Sequence, residues 1–348
     1  MNIRAFYMEC SYAYEQKRPM VCFKHPSFNN LKAYIQNDNH LYENTDESSG
    51  FVFAPFLASD KTIIFPATQS KIISSNLIKS PQTSDTIVLH PDNKTAKEQH
   101  LRLVQNAITT IKDTALQKVV VSRKIEVKLS GFDFIKVFHS ICNLYPTAFT
   151  YCWYHPKIGL WLGATPERLL TVSDYHFKTM ALAATQAAVE NKKVEWKTKE
   201  KNEQQLVTNY ILEQLTDLEN VTVSKPSNKK AGNLWHICTE ISGKLPEQFP
   251  VSRLIKRLHP TPAVCGLPKT PALAFIKKYE NYDRKYYTGY LGELNMEGKT
   301  DIYVNLRCME ITKKQAIIYA GGGITADSYP QSEWEETQRK SETMLIVL

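Results

Sequence analysis

The sequence predicts a single α/β domain built on a large, mostly antiparallel sheet, with helices packed outside it. Three observations carry that expectation. Strand-like and helix-like segments are interspersed without the strict β-α alternation of a parallel sheet. No internal repeat, low-complexity tract or composition break marks a linker. The 348 residues, 43% hydrophobic and 22% charged, are enough to bury a large core.

Residues 1–50 carry no readable element. Near residue 50, GFVFAPFLA and KTIIFPA are short β-branched and aromatic runs bounded by Gly, Pro and Asp, as strands are. The polar stretch SDTIVLHPDNKTAKEQ leads into a helix expected from about Ala96 to Ala115, where Leu101, Val104, Ala107, Ile108 and Ile111 recur at helical spacing. LQKVVVSRKIEVKL is a strand by its valine content. Alternation puts Lys118, Val120 and Ser122 on one face and Val119, Val121 and Arg123 on the other. A helix over 132–143 follows, then a hairpin turning near His155-Pro156-Lys157. Its second strand is interrupted at Thr165-Pro166-Glu167, because proline removes a ladder donor.

KTMALAATQAAVENKK reads as a short strand running into a polar loop. The helix expected from about Glu195 to Leu218 has Leu206, Val207, Tyr210, Ile211, Leu212 and Leu215 as its apolar stripe. VTVSKPSNKKAGNLWHICTEISGKL alternates strand and loop. A helix over 270–280 is expected with Thr270 as N-cap and Pro271 at its first position. Strands 301–311 and 315–321 are expected as a hairpin around Thr312-Lys313-Lys314. The last helix starts near Ser332, with Ser332 and Glu335 at capping-box spacing.

Composition narrows the function classes. No apolar run approaches the roughly 20 residues that span a bilayer, so no membrane partner is expected. MNIRAFYMECSYAYEQ lacks a basic segment followed by an apolar core, so no secretory signal is expected. Seven scattered cysteines without Cys-x-x-Cys argue against a disulfide framework or zinc site and fit a reducing cytoplasm. The net charge of +8 suits nucleic acid or a small anionic substrate. The lysines are spread along the chain, and no Arg-rich tail or RNA-binding signature accompanies them, so no nucleic-acid partner is expected.

The residues that could carry chemistry come in two groups. Glu200 and Glu203 are three apart on one helix, Glu333 and Glu336 on another, with Lys340 four further on. Residues at i and i+3 share a face, and two such pairs suit a hard cation such as Mg²⁺, which takes oxygen ligands and keeps several waters. Acidic residues in a first helical turn also favour the helix dipole without any metal. Arg307 in YVNLRCMEI offers planar, bidentate carboxylate recognition, or a structural ion pair. Gly321, Gly322 and Gly323 allow close backbone approach, as an anion nest or as a tight turn after a strand. Lys118 is either an edge-strand charge or, on a buried face, a candidate general base. Glu167 beside an apolar wall would have the raised pKa of a general acid. His236 in LWHI reads as a core histidine, and Cys265 and Cys308 as buried filler.

Taken in order, QKVVVSR, LGATPERLL, ALAAT, KEKNEQQLV, LWHI, LHPTPAVCGLP, YTGYLGELN, VNLRC, YAGGGI and SEWEETQRK resemble the motifs of the chorismate-utilising enzymes, and among these the isochorismate synthases. The likeness is strong from about Leu116 to Leu345, weak from Gly50 to Ala115 and absent before that. It implies one chorismate-binding domain over 1–348, with 116–348 as catalytic core and two mostly antiparallel sheets packed together. It implies Lys118 as the base that activates water for attack at C2, and Glu167 as the acid that protonates the departing C4 hydroxyl. Glu203 and Glu336 match Mg²⁺ ligands, with Glu200 and Glu333 acting through water. Arg307 and the backbone at Gly321 and Gly322 match the binding of the enolpyruvyl carboxylate. Thr185, His236, Ala263, Val264 and Lys340 match positions lining the pocket.

The subtype rests on a few positions. Aminodeoxychorismate synthases carry a nucleophilic lysine where this chain has Ala183. Anthranilate synthases have Gln at the place of Lys118 and a Leu-Leu-Glu-Ser motif missing here. Salicylate synthases generally place Thr near Ala263. The chain departs from the family pattern twice, with Ala184 where Gly is usual and Gln204 where His is usual. The resemblance therefore implies a cytoplasmic, Mg²⁺-dependent isomerase, monomeric or weakly dimeric, serving menaquinone or siderophore synthesis.

Overall fold

In strands such as Phe149–His155 and Gly50–Ala54 aromatic residues recur at every second position, and those aromatic faces meet between two layers. The computed structural model describes residues 1–78, 93–187, 194–231 and 234–348. Its strands form two antiparallel sheets. The first runs, in spatial order, Gly266–Leu267, Lys118–Lys128, Gln315–Ile324, Cys308–Ile311, Gly159–Thr165, Phe149–His155, Met20–Lys24, Asn30–Gln36 and Ser70–Asn76. The second runs Thr222–Val223, Leu234–Lys244, His176–Ala187, Arg168–Ser173, Lys299–Val304, Tyr290–Met296, Gly50–Ala54 and Ile63–Pro66, with Ser227–Ala231 also paired to Leu234–Lys244. The α/β domain of antiparallel sheet expected from the sequence is therefore present, as two packed sheets.

Successive strand residues face opposite ways, so Val21 and Phe23 point between the sheets while Met20 and Cys22 point outward. The layer between the sheets is aromatic: Phe53 stacks on Trp153 at 4.5 Å and Phe149 on Tyr303 at 4.2 Å. Large flat side chains bury much area each and pack well when offset. Outside the first sheet lie the helices Ile3–Glu15, Phe134–Leu144 and Pro330–Leu345, through Phe6, Phe138, Ile141 and Met344. Outside the second lie Thr198–Glu213 and Val251–Leu258, through Val207, Ile211, Leu254 and Leu258. Helices Lys94–Asp113 and Lys269–Tyr279 cover Val119 and Val121. No helix among the described residues is long and apolar enough to cross a membrane. The unread first fifty residues complete the first sheet with a helix and two strands.

Several boundaries differ from expectation for identifiable reasons. The first long helix begins at Lys94, because the Asn93 side chain accepts from Ala96 N at 2.9 Å. Most of the polar stretch before it lies outside the described residues, as do 188–193 of the polar loop after the ALAAT strand and 232–233 of the strand-loop segment. ALAAT itself belongs to a long strand, His176–Ala187. The helix expected from Glu195 to Leu218 is Thr198–Glu213; Leu215 and Leu218 still pack, from turns beyond its end. Pro268, not Thr270, precedes the first helical residue, Lys269. Pro330, pre-set for a first helical position, starts the last helix, so Ser332 lies inside it and the capping box is not formed. Glu335 instead accepts from Gln331 Nε2 at 2.8 Å.

Candidate active site

Two places where the chain changes sheets build the centre of the site. At Pro166-Glu167 it leaves the first sheet, after Gly159–Thr165, and enters the second at Arg168–Ser173. At Asn305–Arg307 it returns, from Lys299–Val304 to Cys308–Ile311. The expected continuous strand 301–311 is therefore two strands in different sheets, and Arg307 sits between them at φ 47° rather than on a strand. The crossovers are tied together. Thr165 Oγ1 donates to Val304 O at 2.6 Å, Val304 N to Glu167 O at 3.0 Å, and Ala164 N to Arg307 O at 3.0 Å. Glu167 and Arg307 thus enter one cleft of about 920 Å³, part of it open solvent.

The triple glycine is neither a turn nor a nest. Gly321, Gly322 and Gly323 lie within the strand Gln315–Ile324, paired with Ser122, Val121 and Val120. What they supply is room. A Cβ on Gly323 would stand 2.7 Å from Glu203 Oε1 and 2.8 Å from Lys118 Cε. One on Gly322 would stand 3.3 Å from Glu333 Oε2 and 3.4 Å from Glu336 Oε1. The glycines form a floor over which the charged side chains of both helices and the neighbouring strand converge.

Every site residue named from the sequence lines this cleft except Lys118. Lys118 is buried on the same side of the floor as Glu203, its Nζ 2.9 Å from Glu203 Oε1. Val120 lines the cleft while Val119 and Val121 pack outward, as alternation requires. Thr185 and His236 form the opposite wall. The chain bulges at Ala184, φ 61°, and turns Ala184 O towards His236 Nδ1, which donates to it at 2.7 Å. Burial, with Arg307 and Lys340 nearby, lowers the His236 pKa to about 3. The ring is neutral, and its buried Nε2 has no hydrogen-bond partner. His236 is therefore a buried, neutral histidine at the cleft wall with one ring nitrogen unpaired. Ala263 and Val264 close the side after the cis His259-Pro260 bond. At the second departure from the family pattern, Gln204 is buried and donates to Thr208 Oγ1 at 2.8 Å and Thr239 Oγ1 at 2.6 Å, fixing its helix to the sheet.

Electrostatics separate the carboxylates into two kinds. Burial raises the Glu167 carboxyl to about 7, against the opposing pull of Lys118, Lys229, Lys340 and Arg307. The other four pair with lysines or wait for a partner. Lys199 Nζ is 3.0 Å from Glu333 Oε1, and Lys340 Nζ is 2.6 Å from Glu336 Oε1 and 3.0 Å from Gly321 O. Burial and the Glu336 charge hold Glu333 up; burial also opposes Glu336 ionisation, but Lys340 outweighs it and holds that carboxyl down. Glu200 Oε2 is buried without a partner. Burial also lowers the Arg307 pKa from its usual value.

Among the described residues no three His, Cys, Asp or Glu side chains close on one point as a metal cage would. Lysine ammonium groups take one oxygen from each of Glu203, Glu333 and Glu336. The donor set nevertheless fits a hard cation: it is all oxygen, it comes from two facing helices, and it includes the orphaned Glu200 Oε2. Sequence reading missed Lys199, Tyr287, Thr288 and Leu306, which also line the cleft. Lys199 had a signal, four residues before Glu203 on the same helix. Tyr287 and Thr288 open the run YTGYLGELN, but their residue types alone gave no cleft-lining role, since only the fold brings their segment here.

This fold and this cleft define a chorismate-binding enzyme: the family described as chorismate binding enzymes matches residues 51–348, and the chain belongs to it. Among named relatives, it is 29% identical over 257 residues to isochorismate synthase EntC of Escherichia coli, covering 71% of this chain and 66% of that protein. In fold it is similar to MenF, the menaquinone-specific isochorismate synthase from Escherichia coli, with TM-score 0.79, 21% identity and coverage of 97% and 90%. It is also similar to anthranilate synthase component I from Streptococcus pneumoniae, with TM-score 0.68, 18% identity and coverage of 94% and 92%.

Proposed function

We propose that this chain is an isochorismate synthase, a cytoplasmic Mg²⁺-dependent isomerase that moves a hydroxyl of chorismate from C4 to C2, for menaquinone synthesis. The observation that carries the reading is the shared cleft. A buried lysine and a carboxyl held near pH 7 lie about one cavity with an arginine between the sheets. Lys118 takes a proton from water as its oxygen bonds to C2. The ring double bond shifts, the C4–O bond breaks, and Glu167 delivers its proton to the leaving hydroxyl, which departs as water. One water enters and one leaves, so the reaction is a net isomerisation.

Arg307 grips the enolpyruvyl carboxylate beside Gly321 and Gly322. Thr185, the free His236 Nε2, Ala263, Val264 and Lys340 orient the ring. Glu203 and Glu336 would hold Mg²⁺, with Glu200 and Glu333 supporting it through water. The ion, when bound, supplies the positive charge that anchors the ring carboxylate. The test is incubation of purified protein with chorismate and Mg²⁺, with products resolved by chromatography. Isochorismate is expected, lost with EDTA and regained with Mg²⁺. Salicylate or anthranilate as main product would replace this reading with another chorismate-utilising activity.

A further inference from the structure

Lys118 stands at the end of a strand that lacks a full neighbour. On one side, Lys118–Lys128 pairs with Gln315–Ile324 along ten positions. On the other, Gly266–Leu267 pairs only with Val119 and Lys118, and Cys265 O accepts from Val120 N at 2.8 Å. Beyond that the edge would expose backbone groups inside the protein, where each unpaired one costs about 1–3 kcal/mol. An ion pair takes the missing strand's place. Arg284 Nη2 donates to Val120 O at 2.7 Å, and Ser122 N donates to Glu280 Oε1 at 2.7 Å. Val120 and Ser122 lie two apart, so their edge groups face the same way.

The same guanidinium reaches the cleft wall. Arg284 Nη1 donates to Val264 O at 2.8 Å and to Thr288 Oγ1 at 3.3 Å, while Nε donates to Glu280 Oε2 at 2.8 Å. Arg284 and Glu280 are 2% and 6% exposed, and Val120, Val264 and Thr288 all line the cleft. Packing alone does not explain an arginine this deep. A buried pair is at best weak evidence of stability, because desolvation offsets its attraction.

We infer that Arg284, held by Glu280, is a positioning residue that fixes the Lys118 strand against the Val264 and Thr288 wall. This rests on the isochorismate synthase reading, since it presumes that Lys118 is the base. A lysine restores the charge but has one nitrogen on a flexible stem, and it cannot bridge Val120, Val264 and Glu280 at once. Arg284→Lys should therefore stay folded, keep KM for chorismate within about threefold, and lose roughly tenfold to a hundredfold in kcat, the scale of a small misplacement of a reacting group. Amide exchange at Val120–Ser122 should accelerate in the same variant. The double variant Glu280→Gln with Arg284→Met, which removes both charges, should behave alike.

Parental kcat and unchanged exchange in a folded Arg284→Lys protein would overturn the inference. Collapse of both variants would overturn it too, since the pair would then be holding the fold rather than tuning a position. Failure of the underlying reading shows separately, as absence of isochorismate from the parent protein, and exchange at Val120–Ser122 reports the positioning regardless.

Discussion

Glu167→Gln sets catalysis against stability. Burial raises the Glu167 carboxyl from 4.5 to about 7. At 1.36 kcal/mol for each tenfold change, the charged form costs the folded state roughly 3 kcal/mol. The folded pKa lies above the unfolded one, so the folded state binds the extra proton. Stability is full below about pH 4.5 and falls as pH rises towards 7. Glutamine stays neutral at all pH. The variant should therefore gain up to about 3 kcal/mol over the parent at pH 8, shrinking to under about 1 kcal/mol at pH 5. With about 2.1 cal/mol/K of unfolding entropy for each of 348 residues, the pH 8 gain is roughly 4 °C in Tm. The same substitution removes the proposed general acid and should lower kcat by about 10²–10⁴. The parent's kcat/KM should fall above about pH 7 as Glu167 loses its proton. Calorimetry at both pH values and steady-state turnover on chorismate measure all three. Near-parental turnover would remove Glu167 from the mechanism. A Tm difference that is the same at pH 5 and pH 8 would refute the claim that burial keeps this carboxyl protonated.

Gly323→Ala places a methyl 2.7 Å from Glu203 Oε1 and 2.8 Å from Lys118 Cε, so it should cost about 10² in kcat while circular dichroism stays parental. Glu336→Ala should weaken Mg²⁺ binding in a calorimetric titration, and an unchanged isotherm would contradict its assignment as a ligand. Ala184 sits at φ 61°, which costs an L-residue about 1–2 kcal/mol. Glycine relieves that but adds unfolded-state entropy, so Ala184→Gly should raise stability by about 0.5–1 kcal/mol in a urea melt. His25 is bracketed by Glu293 and Asp301, each at 3.2 Å. Burial opposes its protonation, but the two carboxylates outweigh that and raise its pKa. Its contribution is full below about pH 6.5 and is lost as pH rises through the folded value. His25→Gln should flatten the Tm profile over that range.

What could be read from the sequence was local, and what could not was the exchange of chain between sheets. Glu200 with Glu203, and Glu333 with Glu336, were legible as pairs because i and i+3 share a helical face wherever the helix lies. The side of the Lys118 strand was legible because alternation needs no partner. Arg307 was legible as a residue but not as a geometry. YVNLRCMEI has the composition of one strand, and nothing in it says that Val304 and Cys308 bond to different sheets. The glycines misled for a related reason. Three in a row suggest a bend, yet each is paired along a ladder, and side chains from distant segments fill the space that a Cβ would need. The break at Pro166 was foreseen as a lost hydrogen bond, but its consequence was not: it pairs with the break at Asn305, and the two together put an acid and a guanidinium into one cleft. An antiparallel sandwich ordinarily closes its interior with apolar side chains from both faces. Here the interior opens where two strands trade sheets, because backbone that leaves one ladder before joining the next needs local room and polar partners. That is where a polar cleft can exist inside an otherwise aromatic layer, and the chain places Glu167 and Arg307 on those few residues.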